Sequence, residues 1–192
     1  MLYEHNIFQS DFDCIYENVD RNKTDLIESI EFKEITKLAE KLKWIDRFKK
    51  SYSGGVTRKI NTLRLNQTKA YIATLQGKEV GYTRVIDMTD LFQNFFGEPV
   101  SRIAETYVKP PFRGMGVCTA LRRFVKKQER ALTLRIQKDR FIKNKDYFEN
   151  EGYFFAYDIT DSDMCIICTP EFLEPLMAYS KAMSKKFSRE NS

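Results

Sequence analysis

Histidine is nearly absent from this chain: His5 is the only one in 192 residues. Mechanisms built on a histidine base, and histidine-rich metal sites, therefore have little support. Cysteine is sparse as well, at Cys14, Cys118, Cys165 and Cys168. Cys165-Ile-Ile-Cys168 has the spacing of a redox or metal pair, but it lies inside a strand-like run, Met164 to Cys168. The other two cysteines add no matching spacing, so all of them read as reduced core residues. No apolar run approaches the length that spans a bilayer. The N-terminus, Met1-Leu-Tyr-Glu-His5, has no basic segment followed by an apolar one. These absences point to a cytoplasmic protein with no membrane partner and no metal. There is no Gly-Lys-Ser/Thr and no three-glycine dinucleotide spacing, which excludes the two commonest phosphate-loop signatures. No internal repeat or low-complexity segment is present.

The composition is that of an ordinary globular chain, 42% apolar and 31% charged, long enough for one domain with a real core. The net charge of +5 hides a segregation. Residues 1–40 are acidic, and basic stretches follow at 41–64 and 122–145. Such stretches are either solvated helix faces or surfaces that attract a polyanion such as nucleic acid.

Hydrophobic periodicity sets the expected elements. Residues 3–9 suit a short strand, and 11–20 and 25–50 suit helices. In the longer helix Ile35, Leu38, Leu42 and Ile45 form one apolar stripe that Trp44 and Phe48 border. Ser51-Tyr-Ser-Gly-Gly55 is a loop. Strands at 70–75 and 79–86 flank Gln76-Gly77-Lys78, a hairpin signal. A polar and aromatic connection covers 87–99, and a strand covers 101–108. Residues 116–130 read as a helix with Val117, Ala120, Leu121, Phe124 and Val125 inward and its Arg and Lys side chains outward. A strand at 131–136, a short helix at 144–150 ended by Gly152, strands at 153–157 and 164–169, and a helical C-terminal segment complete the order. This order predicts an α+β fold with a mixed, largely antiparallel sheet flanked by helices.

The most informative segment is Val108-Lys-Pro-Pro-Phe-Arg-Gly-Met-Gly-Val-Cys118. An alternating strand runs into a prolyl break, then Arg113, Gly114 and Gly116, then helical spacing. Strand, loop and helix in this order aim backbone N–H groups and the positive end of a helix dipole at an anion. The segment resembles the signature of the GNAT family, the GCN5-related N-acetyltransferases: Val108, Pro110, Arg113, Gly114 and Gly116 match, with Ala120-Leu121 in the helix. Cys118 stands in the small last position of the family's pyrophosphate loop. Tyr147-Phe-Glu-Asn-Glu-Gly152-Tyr153 is similar to a second family segment, Tyr-Glu-x-x-Gly-Phe. The resemblance covers about residues 70–157, and the order of elements is that of the GNAT fold.

The resemblance implies one domain over 1–192: an acceptor-side helical region at 1–65, an acetyl-CoA-binding core at 70–157, and a C-terminal strand and tail at 158–192. It implies an acetyl-CoA-dependent N-acetyltransferase in which a primary amine, of a size the sequence does not give, attacks the thioester directly. The N–H groups of Arg113, Gly114, Met115, Gly116, Val117 and Cys118 would cradle the pyrophosphate of coenzyme A, and the Thr119 hydroxyl would add to them. Tyr107 and Val108 fall where the family's strand amides meet the pantetheine and the thioester oxygen. Asn144 falls where many members place an Asn on the pantetheine arm; the alternative is a helix N-cap.

Glu105 lies where many members keep a general base, and a carboxylate among apolar neighbours would be a better one. A salt-bridged structural Glu and a water chain are the alternatives. Strand alternation puts Glu105 and Tyr107 on one face, and Thr106 and Val108 on the other. The family's acid is the Tyr of the second segment. In register that position is Phe148 here, so the role would fall to the preceding Tyr147, to another Tyr such as Tyr107, or to solvent. Two other functions fit the same residues: a non-catalytic acyl-CoA-binding module, and a nucleic-acid-directed binder or base-modifying transferase using 41–64 and 122–145. The C-terminal strand pair and tail are a frequent homodimer surface in the family.

Overall fold

The computed structural model describes residues 28–51, 68–159 and 162–190. The expected strand at 3–9 and helix at 11–20 lie outside them, as does the expected loop at 51–55 except for Ser51, which is the last residue of a helix and not part of a loop. The described elements are β1 (Ile30–Glu34), α1 (Leu38–Ser51), β2 (Lys69–Leu75), β3 (Lys78–Asp87), α2 (Thr89–Phe92), β4 (Val100–Val108), a 3-10 turn (Pro110–Phe112), α3 (Val117–Gln128), β5 (Ala131–Gln137), α4 (Lys138–Lys143), α5 (Lys145–Asn150), β6 (Phe154–Asp158), β7 (Met164–Cys168) and α6 (Pro170–Glu190). The strands make a seven-stranded mixed sheet in the order β1-β2-β3-β4-β5-β7-β6, flanked by helices, which is the expected α+β class. The pairings β1–β2, β2–β3, β5–β7 and β6–β7 are antiparallel.

One expectation needs correcting. Residues 30–34 are a strand, not the start of a helix from 25. Ile-Glu-Phe-Lys-Glu alternates, and it pairs with β2 from Ile30↔Leu75 to Glu34↔Tyr71. Pairing a free sheet edge outweighs a helical pattern only one turn long. The buried stripe of α1 is also centred differently from the expected one: Trp44 is fully buried, with Ile45, while Leu38 and Leu42 are only partly covered.

The chain divides into two compact units. One comprises the described residues up to Ile86 together with Ile103–Gln128. Its β2–β3 hairpin turns on Gln76 and Gly77, both with positive φ, which matches the right-handed twist of the strands. Register shifts along this pair: Ala73 faces Gly81 but Thr74 faces Glu79, so Val80 is an extra residue, a β-bulge. The bulge breaks the alternation of β3. Val80 packs with Val117 and Leu121 of α3, on the side that Gly81 also faces, while Tyr82 turns to Trp44 of α1. A Cβ on Gly81 would lie 3.0 Å from Val117 Cγ1, 3.1 Å from Leu121 Cδ1 and 3.2 Å from the Tyr107 carbonyl oxygen. Glycine therefore lets α3 lie directly on β3. The inward residues of α3 pack against Ile30, Ala73 and Leu75, and Phe124 stacks on Phe32 at 4.4 Å. Each buried Val or Leu here stabilises by roughly 1.5–3 kcal/mol. Arg122, expected outward, is instead buried at 2% exposure.

The other unit comprises Asp87–Arg102 and the described residues from Glu129 onward. Its core joins Phe92, Val100, Ala131, Ile166, Cys168, Phe172 and Leu176. Pro170 opens α6, a position where its missing N–H costs nothing. Cys165 and Cys168 are both fully buried in β7, and burial pushes both thiols up to about 12. Three residues apart on a strand, they point to opposite faces and cannot chelate together.

The contact at Gly81 gives a direct test. Gly81→Ala should destabilise the protein by about 1–3 kcal/mol through overpacking against α3. Chemical denaturation of the two proteins measures it, and an unchanged midpoint would mean that α3 can shift away freely.

Candidate functional site

The loop between β4 and α3 is set by three local features. The Lys109 N–H donates to the Val80 carbonyl at 2.9 Å, tying the end of β4 to the bulge. Prolines at 110 and 111 start a 3-10 turn, closed by Phe112 N–H to the Lys109 carbonyl at 2.9 Å and Arg113 N–H to the Pro110 carbonyl at 3.2 Å. Gly114 and Gly116 then take φ of +74° and +79°, left-handed values that a side chain would strain. Arg113 Nε donates back to the Val108 carbonyl at 3.1 Å, which pins its guanidinium beside the loop. The N–H groups opening α3 have no acceptor in their own helix by geometry. Arg113, Gly114, Met115 and Gly116 are half-buried; Val117, Cys118 and Thr119 are buried. The Cys118 thiol is free of any disulfide.

On the opposite face of β4 stands Glu105, at 3% exposure. Its neighbours are not apolar. Arg84 Nε donates to Oε1 at 2.8 Å and Arg84 Nη2 to Oε2 at 2.9 Å, a two-pronged fork, and the Tyr82 hydroxyl donates to Oε1 at 3.1 Å. Burial first, and the Glu105 charge second, push the Tyr82 phenol well above its usual value, so it remains a donor. An ionised carboxylate offers about four lone-pair positions. Three are taken here. Alternation holds as expected: Tyr107 lies with Glu105 on the α1 side, its ring 6.1 Å from Trp44. Thr106 faces the other way, its hydroxyl 3.0 Å from that of Thr83, and Val108 packs under α3.

Sequence reasoning missed Tyr82 and Arg84. They sit two apart on β3, so they share a face, and a charged residue inside Gly81-Tyr-Thr-Arg-Val85 was the available signal.

Asn144 and Tyr147 belong to the other unit. Asn144 makes no side-chain cap to α5; its Nδ2 donates to the Arg140 carbonyl at 2.9 Å. Phe148 is fully buried, 5.9 Å from Phe141, while Tyr147 is half-buried and meets Phe148 edge-on. Several cations of the 122–145 stretch are already engaged: Arg130 with Glu98 at 2.7 Å, Lys138 with Asp158 at 2.6 Å, and Lys145 with Glu149 at 3.6 Å. Lys41, at the start of the other stretch, is buried and donates to the Thr68 carbonyl. No helix among the described residues is long and apolar enough to cross a membrane.

Solved structures share this arrangement. An acyl-CoA N-acyltransferase from Pseudomonas aeruginosa superposes with a TM-score of 0.53 at 15% identity, over 73% of this chain and 99% of that one. A Bacteroides thetaiotaomicron protein assigned to the GNAT family of acetyltransferases does so with 0.51 at 12% identity, over 72% and 86%. The fold is the GNAT fold. An aminoglycoside acetyltransferase from an uncultured soil sample shares it, with 0.51 at 14% identity over 70% of this chain and 95% of that one. No protein-family model matches the sequence, and no curated protein matches it. Within the GNAT fold the loop after β4 and the Glu105 fork occupy two sides of the same strand.

The fork makes a stability prediction. Arg84→Met should cost about 3–5 kcal/mol, because it strands a buried carboxylate. Adding Glu105→Gln should recover much of that loss. Denaturant unfolding of the four proteins gives the coupling, and additive effects would show that the two groups act independently.

Proposed function

We propose that this protein is an acyltransferase that uses acetyl-CoA to acetylate a primary amine. The observation that carries the reading is the loop from Arg113 to Thr119: two left-handed glycines and a helix N-terminus after the central strand of a GNAT fold. Acetyl-CoA, when bound, supplies an acetyl group activated as a thioester. The residues present fit it. Gly114 and Gly116 leave room for close approach of a pyrophosphate, and the N–H groups from Gly114 to Cys118 and the α3 dipole favour its charge, while the Arg113 N–H closes the 3-10 turn before them. The Thr119 hydroxyl adds a donor. Tyr107 and Val108 supply the backbone next to the reacting carbonyl, where one well-placed N–H is worth roughly 3 kcal/mol. Asn144 is assigned to the pantetheine arm.

Glu105 takes the proton of the amine. The fork from Arg84 fixes its carboxylate, and one lone-pair position remains for that proton, directly or through a water. Tyr147 is assigned the return of a proton to the sulfur. Of the two adjacent aromatic residues, Phe148 has no proton to give and is fully buried, which favours Tyr147.

Calorimetric titration with coenzyme A tests the loop. Wild-type protein should bind in the micromolar range, and Arg113→Glu should abolish binding by placing a negative charge against the pyrophosphate; intact binding would remove the assignment. Glu105→Gln should lower turnover at neutral pH roughly 100-fold or more. A small loss would point to a water chain in place of a single base.

A further inference from the structure

The α1 face of the sheet carries a second group of cations that the transfer chemistry does not use. Arg47 and Lys43 stand four apart on α1, so they share a helix face. The Arg47 guanidinium lies 4.6 Å from the centre of the Trp44 ring, and Lys109 Nζ lies 5.4 Å from it. Burial, then the charges of Arg47 and Lys43, pull the Lys109 ammonium below its usual value, and only Glu79 works the other way. Neither Lys43 nor Lys109 has an ion-pair partner among the described residues. The Arg47–Glu79 bridge is 3.3 Å long and about a third exposed on both sides (34% and 35%), a kind of pair worth at most about 1 kcal/mol. Trp44 itself is fully buried, and its indole N–H has no acceptor among the described residues. Of the charged groups that act on Lys109, Arg47 and Lys43 are positive and only Glu79 is negative, so positive charge is in surplus around it.

We propose that Arg47 and Lys109, which lie against Trp44, and Lys43, one helical turn before Arg47, bind a phosphate group, and that the amine acceptor carries it. A phosphate monoester has a charge of about −1.5 to −2 at neutral pH, which matches the surplus. It offers three acceptor oxygens to three donor side chains, and it can displace Glu79 from Arg47 at little cost. The place suits an acceptor: Trp44 stacks on Tyr82 at 5.8 Å, and Tyr82 donates to Glu105. The acceptor half of the proposal rests on the transferase reading above; the phosphate half does not.

Trp44 is the only tryptophan, so its fluorescence reports this site and not the loop. Inorganic phosphate titrated into the full chain at constant ionic strength should give a saturable change in Trp44 emission. The change should persist in Arg113→Glu, whose loop is disabled, and its midpoint should rise about tenfold or more in Lys43→Ala and Lys109→Ala. No saturation, or loss in Arg113→Glu with retention in the two lysine variants, would overturn the site. So would a response to a single-stranded oligonucleotide alone, which would assign the cluster to a polymer. With coenzyme A binding confirmed separately, phosphoethanolamine should be acetylated with a KM at least tenfold below that of ethanolamine, and the advantage should vanish in Lys43→Ala. Equal KM values would overturn the acceptor assignment even with the phosphate site intact. Failure to bind coenzyme A would strike the transferase reading and leave the fluorescence result standing.

Discussion

The missing side chain at Gly81 governs this half of the molecule. It lets α3 rest on β3 with Val117 and Leu121 at van der Waals distance from its backbone. That contact fixes where α3 begins, and so where the loop before it must turn. Because α3 also covers Ile30, Ala73 and Leu75, its position is set by a broad apolar surface and held by many small terms. The hydrogen bonds of the loop to the carbonyls of Val80, Val108, Lys109 and Pro110 complete an arrangement whose two ends are anchored by packed elements.

The strands β3 and β4 then separate two kinds of chemistry. Toward α3 they present small and apolar side chains, and the anion-binding loop lies at that end. Toward α1 they present Tyr82, Arg84, Glu105 and Tyr107, capped by Trp44 and its cations. A buried carboxylate is expensive unless it is paired and hydrogen-bonded. Arg84 and Tyr82 meet that requirement while holding Glu105 in one orientation, so the same contacts that make the charge tolerable also preorganise it.

The loop was legible in the sequence because left-handed backbone demands glycine, and the prolines and Arg113 mark its ends. Strand parity around Glu105 was legible for the same local reason. What was not legible depends on which strand lies beside which. The strand at Ile30–Glu34 needs the edge of β2 to exist, and without it five alternating residues look like a helix start. Arg84 becomes the partner of Glu105 only through the register of strands 21 positions apart in the chain. Trp44 read as a border residue because the apolar stripe was drawn through Ile35, which lies before α1. Arg122 looked like a solvated cation by helical spacing and is buried.

The bulge at Val80 has a consequence for how this surface could change over time. Val80 and Gly81 both face α3, and Glu79 still stands opposite Thr74 on the α1 face, because one extra residue in β3 interrupts the alternation there. Removing that residue would restore the regular pleat, keep Glu79 opposite Thr74 on the α1 face, and take the Val80 side chain out of the apolar side beneath α3. The packing beneath α3 is therefore encoded in the length of the chain as well as in its composition, and relatives that lack one residue between Lys78 and Gly81 should differ there more than relatives separated by many substitutions.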